Sequence, residues 1–186
     1  MEHTIAPSPE VFREANDIVE GLLQTCEAVL GKDSDLKVYM SWADQPSPEV
    51  ISEEEARINV GTGENWKDDL KTTVAQAYAQ SWFLEYKSNS YHWEELLMLG
   101  HSLMFAENIT EVKPQLDPEE ELEENWPVLR EEVQMSLVEE TEELSHYGFT
   151  LAYYLAEELK DVHGLENFPE LSMSDMIDAG DRLFQG

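Results

Sequence analysis

Residues 72–82 have the sequence TTVAQAYAQSW, and this stretch decides the fold of the chain around it. Ala and Gln are good helix formers, so the stretch predicts the middle of a helix that covers about 66–86. Thr73, Gln76 and Gln80 then lie on one side of that helix, because residues three and four positions apart are neighbours on a helix surface. This polar stripe is the first candidate site.

The next predicted helix covers about 92–111 and contains the sequence WEELLMLGHSLMFAE at residues 93–107. The short polar stretch Ser88-Asn89-Ser90 precedes it and predicts a tight connection between the two helices. Two consecutive helices joined by a turn are therefore expected in the middle of the chain.

Together the two helices resemble those of a family of predicted zinc-dependent proteases that was long described as a domain of unknown function. Residues 72–82 are similar to that family's T-[IV]-A-H-E-Y-x-H helix, and residues 93–107 to its L-x-x-E-G-x-A-x-x-F-A-E helix. The segment from Gly148-Phe149-Thr150 to Asp178-Ala179-Gly180 also resembles the family's closing helices. The resemblance covers most of the chain.

In proteases of the gluzincin type, an H-E-x-x-H helix presents two His that bind one zinc ion. The Glu between them activates the metal-bound water, and a Glu on the next helix is the third ligand. The resemblance places Gln76, Ala77, Gln80 and Leu99 at these four positions. Because an amide is a very poor zinc ligand and Ala and Leu offer no donor atom, it implies a former metal site with no catalytic residue, metal or cofactor.

A displaced metal site is an alternative, since five His remain, at positions 3, 92, 101, 146 and 163. His101 and Glu94 lie seven residues apart on the same side of the predicted helix, and Glu107 or His146 could join them. Structural ion pairing or plain exposure explains the same residues equally well.

Nucleophilic catalysis has no recognisable motif in this sequence. Cys26 lies among Leu and Val residues and is expected to be a small buried side chain. There is no G-x-S-x-G sequence, and Ser102 beside His101 is adjacency without a triad.

The net charge of the chain limits the classes of partner that it can bind. Its 41 acidic and 11 basic residues give a net charge of −30, which argues against binding to nucleic acid or to an anionic membrane. Self-repulsion of this size is screened only in concentrated salt, where the Debye length is about 3 Å at 1 M. The composition is similar to that of extremely halophilic archaea. With no apolar run of membrane-spanning length and no basic, apolar leader at Met1-Glu2-His3-Thr4, a cytoplasmic location is expected.

The expected fold class is α+β: a mostly helical, zincin-like single domain over residues 1–186, with a small N-terminal antiparallel or mixed β-sheet and a two-helix former metal site. The expected parts are about 8–62, 66–111 and 118–184. A first helix starts at the cap Ser8 and stops at Gly31, strands are predicted at 37–42 and 56–61, and residues 46–49 are predicted as a loop. Asp117-Pro118 and Ser172 predict further helix starts, and the C-terminal helices are expected at about 118–144, 146–163 and 172–184.

The function expected from these observations is recognition without catalysis, by an inactive peptidase-like protein that binds a protein or peptide. The expected contacts are Thr73, Gln76, Gln80 and His101. A divergent hydrolase with an unrecognised site and a salt-adapted structural or assembly subunit remain as alternatives. The sequence identifies neither the partner nor the oligomeric state.

Overall fold

The computed structural model describes residues 8–31, 36–87, 90–116, 118–139 and 142–185. Six α-helices and three β-strands are present in this part of the chain, with a short 3-10 helix at Leu165–Glu170. In chain order they are α1 (Pro9–Leu30), β1 (Lys37–Ala43), β2 (Ser47–Ser52), β3 (Glu55–Gly61), α2 (Trp66–Leu84), α3 (His92–Thr110), α4 (Glu119–Glu132), α5 (Glu142–His163) and α6 (Met173–Phe184). The α+β class and the small mixed sheet are confirmed. No helix among the described residues combines the length and the apolarity needed to cross a membrane.

Contacts divide the chain into two compact units. The first consists of Met1–Glu85 and Phe105–Lys113, and the second of Tyr86–Met104 and Pro114–Gly186. The division falls inside α3, which therefore contributes residues to both units. The expectation of a single domain with three parts stays a prediction.

Helix α1 begins and ends where the sequence predicts. The Ser8 hydroxyl accepts a hydrogen bond from the backbone N–H of Val11 (3.3 Å), and Pro9 occupies the first turn. A capping side chain of this kind contributes about 1 kcal/mol to helix stability. Gly31 ends the helix with φ of 70°, a left-handed conformation that Gly adopts without strain. Cys26 on this helix is fully buried, as predicted.

The sheet has the strand order β1-β3-β2, with β1 parallel and β2 antiparallel to the central β3. The prediction of a loop at residues 46–49 was wrong, because Ser47–Ser52 forms β2. Pro46 and Pro48 suggested a loop, but Pro48 lies opposite Ile58 on an edge strand, where Pro is tolerated because one edge of the strand has no neighbouring strand.

The first unit buries α2 against α1, β2 and β3. Ile58 and Val60 of β3 and Leu70, Val74 and Tyr78 of α2 are almost completely buried in this core. Three alanines of α2, at positions 75, 77 and 79, also have no exposed surface. A helix buried on nearly every side uses such small residues because they let neighbouring elements approach closely.

The second unit contains α4, α5 and α6 and the first part of α3. The buried Trp126 of α4 donates its indole N–H to Asp181 of α6 (2.9 Å), and Arg130 also donates to this carboxylate (3.1 Å). The predicted cap at Ser172 is confirmed as a full capping box with Asp175. The helix start predicted at Asp117-Pro118 has Pro118 as the residue before α4, while Asp117 lies outside the described residues, as do positions 88 and 89 of the predicted connection.

The prediction of one helix over 118–144 was wrong, because α4 ends at Glu132 and α5 begins at Glu142. No Gly or Pro lies between these two residues, so the sequence carries no local breaker. The turn is held by partners distant in sequence: Tyr91 forms a bridge with Ser136, and the backbone N–H of Leu137 donates to the carbonyl of Ser90 (3.3 Å).

Candidate functional site

Three of the four positions implied to be a former metal site lie on α2 in the first unit. Ala77 has no exposed surface, Gln80 is buried and Gln76 is half-buried. Thr73, on the same side of the helix, is also buried and donates its hydroxyl to the carbonyl of Asp69 (2.7 Å). These side chains therefore offer little surface to a ligand, and their role in binding stays a prediction.

The donor set on α2 does not suit zinc. The amides of Gln76 and Gln80 are weak ligands for this ion, and the methyl group of Ala77 provides neither a ligand nor a general base. Within the described residues, no three His, Cys, Asp or Glu side chains are grouped so as to hold a metal ion.

The alternative grouping around His101 is occupied by structural contacts. His101 is fully buried in the second unit, with its ring centroid 5.4 Å from that of Phe168. Burial lowers the pKa of His101 to about 3 and outweighs a hydrogen bond to the backbone of Leu165, which acts in the opposite direction. The carboxylate of Glu94 accepts hydrogen bonds from the backbone N–H groups of Ser90 (2.8 Å) and Tyr91 (3.3 Å). It therefore provides an acceptor for backbone donors at the start of α3.

The two further members proposed for that grouping have other surroundings. Glu107, which belongs to the first unit, lies 3.7 Å from the ammonium group of Lys113. His146 is exposed near the start of α5 and its ring packs edge-on against Tyr147. His101 is consequently a core residue, and its role in binding stays a prediction.

Leu99, the fourth implied position, lies in the second unit and lines an open cavity of about 840 Å³. This volume is within the range of about 300–1,000 Å³ that is usual for ligand pockets. The apolar part of its lining consists of Leu96, Leu99, Leu137, Leu144 and Phe149. The position that the resemblance gives to a metal-binding carboxylate therefore presents an aliphatic side chain to an accessible cavity.

The polar part of the lining is acidic. Three carboxylates line the cavity, from Glu95, Glu139 and Glu142, and no Lys or Arg is among the lining residues that the structure describes. The imidazole Nδ1 of His92 lies 3.8 Å from the carboxylate of Glu95. In the described part of the chain, none of the three glutamates forms an ion pair with Lys or Arg. The cavity thus combines an apolar wall with uncompensated negative charge.

The turn after α4 forms one side of the cavity and is fixed to the start of α3. The backbone N–H of His92 donates to the carbonyl of Met135 (3.1 Å), and its imidazole Nε2 lies 3.0 Å from the carbonyl of Glu139. The carboxylate of Glu132 accepts a hydrogen bond from the backbone N–H of Leu144 (3.1 Å) on the opposite side of the turn. These contacts attach the turn to the starts of α3 and α5.

A close helix contact lies directly beside Leu99. At Gly100 an added Cβ would lie 2.3 Å from the carbonyl oxygen of Ala152 and 2.7 Å from the Cβ of Ala156, so α5 approaches the backbone of α3. Gly148 leaves more room, since a Cβ there would lie 3.8 Å from Leu96. The close approach of α3 and α5 beside Leu99 therefore depends on Gly100.

Leu99 is the one lining residue that the sequence singled out as a site position. The others were missed because the unbroken helix predicted over 118–144 hides the turn that contributes Leu137 and Glu139. The sequence offered no local breaker to reveal this turn, in which Val138 is 88% exposed.

Comparison of the chain with protein families, with curated proteins and with solved structures found no match. The resemblance to zinc-dependent proteases therefore stays a prediction from the sequence.

Proposed function

We propose that this protein is an inactive, zincin-like relative of zinc-dependent proteases that recognises a peptide or protein segment and hydrolyses nothing. The binding site is the cavity of the second unit. The partner is a soluble protein or peptide in a high-salt cytoplasm.

One observation carries the proposal. Leu99 stands where the resemblance implies a zinc ligand, and its side chain lines an open, largely apolar cavity. An aliphatic side chain has no role in metal chemistry, but it favours contact with apolar groups of a ligand, because removal of apolar surface from water is favourable. The loss of the ligand and the apolar wall are thus explained by one change of function.

Zinc content tests the catalytic half of the proposal. We expect far less than one zinc ion per chain after dialysis in about 2 M salt, where surface repulsion is screened. We also expect no peptide cleavage in the same salt, with or without chelator. Zinc close to one per chain that is lost in His101→Ala or Glu94→Gln would contradict the proposal and favour the displaced metal site.

Peptide selection tests the binding half. Peptides selected from a random display library against the wild-type chain are labelled and their affinities measured by fluorescence anisotropy. We expect Phe149→Ser to weaken binding by about fivefold or more, as truncation of an aromatic contact residue often does. Phe12→Ser is the matched control, because Phe12 on α1 is 41% exposed and Phe149 is 42% exposed. Equal effects of the two variants would refute the cavity as the binding site.

The α2 residues are tested separately. Gln76→Ala combined with Gln80→Ala removes both amides of the polar stripe. Loss of peptide binding, with an unchanged circular dichroism spectrum, would assign binding to α2 as the sequence predicts. Unchanged binding would leave the cavity as the site.

A further inference from the structure

We infer that the cavity of the second unit selects a cationic, apolar segment, in which Lys or Arg flanks the apolar side chains that enter the cavity. This inference rests on the proposed function and specifies its ligand. It concerns the chemistry of the segment and leaves its parent protein open.

The apolar requirement follows from the wall of the cavity. Leu96 is buried, whereas Leu99 and Leu137 are half-buried and Phe149 is 42% exposed, so apolar surface remains accessible to water. Val138, next to Leu137, is the most exposed large apolar side chain among those described, at 88%. A ligand that covers this surface gains roughly 25 cal/mol for each Å² removed from water.

The cationic requirement follows from the lining carboxylates. The side chain of Glu95 is 51% exposed, and Glu139 and Glu142 are also exposed, so all three carboxylates are accessible from solvent. An acidic ligand would bring like charges together, which opposes binding. A Lys or Arg beside the apolar side chains of the ligand supplies the positive charge that no described Lys or Arg supplies in the lining.

The main competing explanation is general attraction, because any cationic peptide is drawn to a chain with a net charge of −30. The location of the substituted glutamates, at the cavity or away from it, separates the two explanations. Glu95→Gln with Glu142→Gln removes two charges at the cavity, and Glu20→Gln with Glu157→Gln removes two from exposed helix positions that do not line it. Both pairs change the net charge equally, so only the local effect differs.

The probes are three labelled peptides of about 14 residues. The first has Leu at helical spacing with Lys at the other positions, the second replaces Lys by Glu, and the third replaces Leu by Ser. Affinities are measured by fluorescence anisotropy in about 0.2 M salt and again in about 2 M salt, where the Debye length falls below roughly 3 Å.

We expect the Leu and Lys peptide to bind more tightly than the other two in the lower salt. The cavity pair should weaken it by about threefold to tenfold, since one exposed ion pair changes an equilibrium by about 1.5-fold to fivefold, and the control pair by less than about 1.5-fold. In the higher salt the difference between the two pairs should disappear while Phe149→Ser still weakens binding.

Equal weakening by the two glutamate pairs would overturn the inference and identify general attraction. If the Leu and Glu peptide binds as tightly as the Leu and Lys peptide, and Phe149→Ser weakens both, the inference fails and the proposed function stands. If Phe149→Ser affects neither peptide, the proposed binding site itself fails.

Discussion

Replacement of Gly100 by Ala tests the close contact between α3 and α5 that forms the wall of the cavity. Within a helix this substitution normally stabilises a protein, because Ala has a higher helix propensity than Gly by about 1 kcal/mol. At Gly100 the new Cβ would lie 2.3 Å from the carbonyl oxygen of Ala152, where a carbon and an oxygen in contact are normally about 3.3 Å apart. The two helix backbones must therefore separate by about 1 Å locally.

The expected size of the effect follows from these two opposing terms. Overpacking of a core typically costs about 1–3 kcal/mol, and the upper end applies here because a backbone carbonyl cannot rotate away. Subtraction of the propensity gain of about 1 kcal/mol leaves a net loss of about 2 kcal/mol. For a chain of this size that loss lowers the melting temperature by about 4–8 °C.

The assay is thermal unfolding followed by circular dichroism in molar salt, with Gly21→Ala as the control. Gly21 is an exposed residue of α1, and a Cβ there meets no atom within 4 Å. We expect Gly21→Ala to raise the melting temperature by about 2–4 °C, whereas Gly100→Ala lowers it. A rise of similar size in both variants would refute the close approach of α3 and α5.

Three further predictions follow from buried groups. Burial raises the pKa of Cys26 to about 12. We therefore expect iodoacetamide to modify this thiol at pH 8 only after the chain is unfolded in urea. Rapid modification of the folded chain, detected by mass spectrometry, would contradict this. Burial lowers the pKa of His101 to about 3, below the ordinary value of 6.5. Between these two pH values the unfolded chain binds more protons than the folded chain. The free energy of unfolding therefore falls as the pH falls through this range. The urea midpoint should therefore fall more steeply from pH 7 to pH 5 in the wild type than in His101→Gln, and equal slopes would show that His101 is not buried. Asp181→Ala leaves the buried indole N–H of Trp126 without its acceptor, at a cost of about 1–3 kcal/mol in the free energy of unfolding. Asp181→Asn keeps an acceptor and should cost less. An equal loss of stability in the two variants, measured by urea unfolding, would argue against this hydrogen bond.

Local sequence signals predicted the elements that depend on near neighbours. Ser8 and Gly31 define the two ends of α1 by capping contacts within four residues of the chain, and Ser172 defines the start of α6 in the same way. The two strands predicted by alternation, β1 and β3, are present within one residue of their expected bounds. These features are readable because their causes lie in the same short segment.

Features that depend on distant partners were not predictable in this way. β2 is a strand because it pairs with β3, although Pro48 and the preceding Pro46 favour a loop. The turn after Glu132 depends on Tyr91 and Ser90, more than forty residues earlier in the chain. The cavity combines residues from α3, that turn and α5, so its lining became apparent only once these elements were placed.

Pro48 on β2 has a consequence for association between chains. Exposed edge strands tend to pair with other edges, and many proteins prevent this with charged side chains. At about 1 M salt, such charges are screened within about 3 Å and lose much of this effect. Pro48 lacks a backbone donor at every ionic strength, so β2 cannot present a complete ladder of N–H groups, and screening of the acidic surface does not change this.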